Sequence, residues 1–286
     1  MTAMPLIDIH SHVISTDSAR YPLSPIGGQQ SDWSAERPIS HEQMIKAMDK
    51  AGVAKSAVVQ ASSAYAFDNS YVAAAVAAHP ERFTGVFSVD VVAPDAPVKM
   101  KYWMDKGLTG MRIYSSGSTQ LEQATFFAEP RAFAAWDYAS KVGLSVCMQM
   151  RMQGIPHLKT VLDRFPKVRV IIDHFARVEA SDGPPYAAAA PLFELASYPN
   201  VYLKLTHRPI EESMKGSATP QDFFCRVIKE FGAERIAWGS NYPASKLKLP
   251  ELVALARKTL AFLPQQDQDW IFCKTAQTLY PALADK

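Results

Sequence analysis

Arg235-Ile236-Ala237-Trp238-Gly239 is the last of eight short apolar or β-branched runs, and the fold turns on what lies at its two edges. Working back through the chain, the other runs are residues 6–10, 56–61, 83–89, 110–114, 144–150, 168–173 and 201–205. Longer segments lie between them, for example 39–51, 69–78, 131–142 and 249–262, with apolar residues at helical spacing; several start after Ser, Asp or Pro. Such alternation implies parallel strands joined by right-handed crossovers. Eight units in 286 residues match an α/β protein of the closed (β/α)8 TIM-barrel type, because the run at 235–239 has neighbours on both sides only if the sheet closes. An open doubly wound sheet is the competing architecture, but no G-x-G-x-x-G turn follows the first run.

No Gly/Ser-rich linker or shift in composition divides the chain, so residues 1–286 are expected to form a single domain. The Pro-containing stretches 21–38 and 181–191 read as loop insertions after strands one and six, on the face where barrel enzymes build their sites. Lys and Arg total 30 against 28 Asp and Glu, a net charge of +2 that creates no field able to hold a polyanion; nucleic acid is not an expected partner. The longest apolar runs, such as 168–172, fall far short of the roughly 18–20 residues that cross a bilayer, and no basic flank leads into an apolar N-terminal stretch. The expectation is a cytoplasmic protein without a membrane role, monomeric or homodimeric, acting on a small molecule. Cys147, Cys225 and Cys273 are odd in number and lack C-x-x-C spacing, which predicts buried free thiols.

Candidate chemistry gathers at the ends of the runs. The first ends in Asp8-Ile9-His10-Ser11-His12, and period-two alternation predicts that Asp8, His10 and His12 share the barrel interior. His174 follows the sixth run, and Asn241, in Trp238-Gly239-Ser240-Asn241-Tyr242-Pro243, follows the eighth. A mononuclear metal site takes three or four N or O ligands, commonly with an anion among them; His10, His12 and His174 supply imidazoles and the anion is missing. Arg112, Arg151, Arg177 and Arg208 each stand near a predicted strand C-terminus, and guanidinium is the preferred partner of a carboxylate, which points to an anionic substrate. Ser62, Ser63 and Tyr65 after strand two and His207 after strand seven are weaker candidates, and neither serine lies in a nucleophile motif. His41, His79 and His157 fall at predicted helix ends, where capping or exposure accounts for them.

These pieces, taken in order, resemble the amidohydrolase-2 branch of the amidohydrolase superfamily, which contains the 2-pyrone-4,6-dicarboxylate lactonases. The resemblance rests on residues 7–12, 58–62 followed by Asp68-Asn69, 107–112, 171–174 with Arg177, 204–206 and 238–243. It implies a (β/α)8 barrel that opens lactones or hydrolyses related bonds. By the same resemblance His10, His12 and His174 polarise a substrate carbonyl or hold one divalent metal, Zn or Mn, while Arg112 and Arg177 hold carboxylates; Ser62, Gln149, Arg151, His207 and Arg208, at or after the ends of predicted strands, are the further candidates for substrate binding. The family carries Asp on strand eight as the acceptor of the water proton, whereas this chain has Asn241. A carboxamide orients water but does not take its proton at neutral pH. Another base, a metal-bound hydroxide, or an Asp-to-Asn replacement that leaves a binding form are the alternatives. Gln149 stands where the pyrone lactonases carry Tyr, so the expected substrate is a different carboxylated lactone. A metal-dependent decarboxylase or C–C hydrolase is the second reading.

Overall fold

The computed structural model describes residues 4–284. Eight strands form one parallel sheet in sequence order: β1 (Leu6–Ser11), β2 (Val53–Val59), β3 (Phe83–Phe87), β4 (Leu108–Tyr114), β5 (Ser145–Gln149), β6 (Arg169–Asp173), β7 (Val201–Leu205) and β8 (Ile236–Trp238). β8 is only three residues long, and the sheet is closed beyond its end. There Asn241 N donates to His10 O at 2.7 Å and His12 N donates to Tyr242 O at 2.9 Å. Gly239 makes this approach possible, since a β-carbon on it would lie 2.6 Å from that of His10. The chain is therefore a nearly closed eight-stranded barrel with helices between its strands, as the alternation predicts.

Local sequence sets the helix ends. Ser40 and Gln43 form a reciprocal capping box at the start of the helix His41–Ala51, and Gly52 ends it in the left-handed conformation (φ 71°). This helix and others, including Ser70–Ala78, Phe133–Val142 and Leu249–Thr259, bury apolar residues in the large cluster outside the barrel. A second, smaller cluster joins Ile7, Ala57, Val86, Cys147, Ile171 and Ala237 to Ala276, Leu279 and Tyr280 of the C-terminal segment, which plugs the lower barrel. Tyr280 Oη lies 3.3 Å from Cys147 Sγ inside it. Cys147 and Cys273 are buried, as expected, and neither is in a disulfide; Cys225 is exposed, because it sits on the outer helix Pro220–Phe231.

Strict alternation along β1 does not hold. Ile9 packs in the lower interior cluster, and the β1–β2 register jumps between Asp8 and Ser11. This irregularity re-aims the strand end, so that His10 and His12 both reach the mouth. Asp8 instead fastens β1 to the turn after β8: its carboxylate accepts from Ser240 N (2.8 Å), Ser240 Oγ (2.6 Å) and His10 N (2.8 Å).

Candidate active site

A cleft opens at the C-terminal end of the barrel, lined among others by His12, Trp33, Ser62, Arg112, Gln149, His174, Arg177, Arg208 and Asn241. The 21–38 insertion contributes Trp33, whose ring lies 5.2 Å from that of His12; no residue of 181–191 lines the cleft. His10 lies just beneath, with its ring centroid 4.8 Å from those of both His12 and His174. Arg151 lines an adjoining cleft, and His207 is buried outside the lining of both.

The imidazoles are neutral. Burial, followed by the positive field of Arg112, lowers His12 to about 3. Burial also holds His10 and His174 well below the usual range, with the charges of Lys204 and Arg208 respectively as the next causes. His12 Nδ1 lies 2.8 Å from Val59 O, and since a carbonyl only accepts, Nδ1 carries the hydrogen and Nε2 presents a lone pair. His174 Nδ1 is fixed by Thr206 Oγ1 at 2.8 Å. Neither nitrogen of His10 has a hydrogen-bond partner among the described residues.

Beneath the cleft lies an ionic group that motif reading passes over. Asp173 Oδ1 is 2.7 Å from Lys204 Nζ and 3.8 Å from His10 Nδ1, and Arg112 Nε donates to Oδ2 at 3.0 Å. Burial alone would raise the Asp173 carboxyl, but Lys204 and then Arg112 hold it below its ordinary value. Arg112 Nη2 also donates to Gln149 Oε1 at 3.0 Å, so much of its fork is already committed within the protein. The sequence signals were present: Lys204 is a charge inside the run Val-Tyr-Leu-Lys-Leu, and Asp173 follows two buried isoleucines. A buried charge in a barrel strand calls for a partner.

His174 and Arg177 are presented by an unusual turn. His174, Phe175, Ala176 and Arg177 all have positive φ, between 52° and 56°. Left-handed backbone costs non-glycine residues roughly 1–2 kcal/mol each, and burial of Phe175 and Ala176 holds the turn in place. Arg151, Arg177 and Arg208 form no ion pair with a carboxylate among the described residues. Burial, then the neighbouring Arg208 and Arg151, lowers Arg177 to about 10.

The donor set does not fit a divalent metal ion. Among the described residues no three His, Cys, Asp or Glu side chains are arranged to hold one. Asp173, the carboxylate beside His10, is already neutralised by two cations, which would also repel a dication.

The chain is similar to known proteins in sequence and in fold. Over 271 residues, 91% of this chain and 83% of the relative, it is 24% identical to the 4-sulfomuconolactone hydrolase of Hydrogenophaga intermedia. It is 33% identical to the L-fucono-1,5-lactonase of Burkholderia ambifaria over 94 residues, a match spanning about a third of either chain (32%). A candidate 2-pyrone-4,6-dicarboxylic acid hydrolase from Pseudomonas putida shares the fold, with a TM-score of 0.79 at 20% identity over 99% of this chain and 100% of that one. No helix among the described residues is long and apolar enough to cross a membrane. The amidohydrolase family model matches residues 7–282, and the chain belongs to that family of enzymes.

Proposed function

We propose that the protein opens the ring of a small anionic lactone by hydrolysis. The observation that carries this reading is a cleft in which neutral imidazoles meet Arg177 and Arg208, two guanidinium groups that form no ion pair with a carboxylate among the described residues. Neighbouring guanidinium charges repel one another, which adds to burial in lowering Arg177, and a substrate anion between them offsets that cost. Lactones are also the compounds in the names of both relatives above.

In this mechanism the substrate's anionic group lies against Arg177 and Arg208, and its ring carbonyl lies toward His174. His12 Nε2 accepts a proton as water adds to the carbonyl carbon, with the Asn241 carboxamide orienting that water. His174, in the positive field of Arg112, stabilises the oxyanion of the tetrahedral intermediate, the largest contribution in most acyl transfers. The ring C–O bond then breaks and the departing alkoxide takes the proton from His12. The products are one hydroxycarboxylate and one released proton.

Proton release from a panel of carboxylated γ- and δ-lactones, followed with a pH indicator, tests the reading. His174→Ala should lower kcat about 10²–10³-fold, the size of a lost oxyanion contact, with KM little changed. Failure of the parent protein to open any of them faster than buffer, or an unchanged kcat in His174→Ala, would overturn it.

A further inference from the structure

Cys147 and Tyr280 are buried and polar and take no part in the chemistry above, yet they end a chain of contacts that begins in the cleft. Arg112 and Gln149, which line the cleft, share a hydrogen bond of 3.0 Å, and Arg112 Nε donates to Asp173 Oδ2, also at 3.0 Å. Lys204 Nζ takes the other carboxylate oxygen at 2.7 Å and donates to Cys147 Sγ at 3.2 Å; Sγ in turn lies 3.3 Å from Tyr280 Oη. Asp173, Lys204, Cys147 and Tyr280 are all wholly buried.

From this we infer that Tyr280 is a positioning residue for the active site, acting through Cys147 and Lys204 on Asp173 and Arg112. The C-terminal segment is built to deliver it. Tyr280 stands at the break between the helix Thr275–Leu279 and the turn Pro281–Leu283, and Ser145 Oγ donates to Leu279 O at 2.9 Å, which fastens that break to β5 just before Cys147. Gly110 makes room on β4, the strand of Arg112, since a β-carbon there would lie 2.7 Å from Tyr280 Cε1. Burial pushes both the thiol and the phenol up, so neither becomes an anion that competes with Asp173 for the lysine. Lysine carries its charge on a flexible stem, and one partner alone leaves the ammonium free to swing. The sulfur on β5 supplies a second partner beside the carboxylate on β6. With Lys204 held on Oδ1, Oδ2 is left to Arg112, and the guanidinium reaches Gln149. A freed Lys204 leaves both oxygens to Arg112, whose fork is then drawn off Gln149. The inference rests on the lactonase reading only for its effect on turnover.

The test follows the assigned Arg112 Nε–H nuclear magnetic resonance signal in the isotope-labelled full chain, which requires no substrate. Tyr280→Phe keeps the ring and loses only the hydroxyl, and it should displace the signal, as should Cys147→Ala. Cys147→Ser still accepts from Lys204 and should return the signal toward its parental position. Leu283→Ala is the control, because it loosens the same plug among apolar neighbours; it should lower the melting temperature and leave the signal in place. On a lactone that the parent opens, Tyr280→Phe should lower kcat about threefold to tenfold and leave KM within about twofold, because the anion lies on Arg177 and Arg208. An unmoved signal in Tyr280→Phe, an equal displacement in Leu283→Ala, or a raised KM with unchanged kcat overturns the inference. If the signal moves as expected and the parent opens no lactone, the lactonase reading fails while the positioning chain stands.

Discussion

Lys204 Nζ and Asp173 Oδ1 face each other at 2.7 Å in the barrel interior, both side chains fully shielded from solvent. Asp173 in turn anchors Arg112 below the cleft, so the position of one guanidinium depends on a lysine that does not line the site. Removing one partner of a buried pair leaves an uncompensated charge, at a typical cost of about 3–5 kcal/mol. Lys204→Met should fall at the lower end, near 3 kcal/mol, because Arg112 remains on Asp173. Urea denaturation reads the loss, and kcat should drop as well because Arg112 shifts its field at the oxyanion. A variant with parental stability would show that the pair does not support the barrel.

The left-handed turn invites a substitution whose effects on stability and on activity diverge. Ala176→Gly removes a buried methyl, worth about 0.8 kcal/mol, but relieves a strained φ of 52° worth about 1–2 kcal/mol. The two terms nearly cancel, so stability should stay within about 1 kcal/mol of the parent. The turn also fixes His174 and Arg177 relative to each other, and a glycine loosens it. A fall of about tenfold in kcat/KM with an unchanged melting temperature is the expected pair of results; full activity would mean that the turn is not needed to hold the two side chains.

The barrel was legible in the sequence because short apolar runs and helical runs alternate without interruption, and burial on both faces of a parallel sheet makes each strand a near-continuous apolar run. The mouth histidines and Asn241 were legible because they sit where strands end. Asp173 and Lys204 were harder to see, since their roles depend on a pairing between two strands that a single run does not reveal. Asp8 was misplaced for a different reason. Alternation assumes a regular strand, and the register jump between Asp8 and Ser11 leaves no mark in composition. The run of positive φ after β6 is equally silent, as none of residues 174–177 is glycine. The adjoining cleft lined by Arg151 arises where turns after three different strands meet, a tertiary fact that local pattern does not carry.

The buried histidines make stability depend on pH in a definite direction. His207 is held at about 4 in the folded chain, by burial first and then by Arg208, against about 6.5 when unfolded. Between those values the unfolded chain binds a proton that the folded chain does not, so stability falls as pH is lowered through 6.5 toward 4. Each such group contributes up to about 1.4 kcal/mol per pH unit. His10, His12 and His174 are shifted in the same direction and add to the slope. Urea midpoints measured at pH 7 and pH 5 should differ clearly, and His207→Gln should reduce the difference by about one proton's share. An identical slope in that variant would mean His207 is as easily protonated in the fold as outside it.

Asn241→Asp is the most direct probe of the proton acceptor. Residue 241 is buried, its backbone N is fixed on His10 O at 2.7 Å, and its φ of 57° is one that Asp tolerates, so the substitution is nearly isosteric. The new carboxylate would lie in a cleft lined by Arg112, Arg177 and Arg208, which favours its ionised form. A positioned base contributes about 10²–10⁴ in rate, but His12 Nε2 already offers a lone pair, so the expected gain in kcat is smaller, roughly tenfold. The same negative charge weakens the hold of the arginines on an anionic substrate, so KM should rise together with kcat. The joint rise distinguishes a base added beside the reacting water from a general loosening of the site, which would raise KM and lower kcat. An unchanged kcat would place residue 241 away from the water, and His12 would then act without help from the turn after β8.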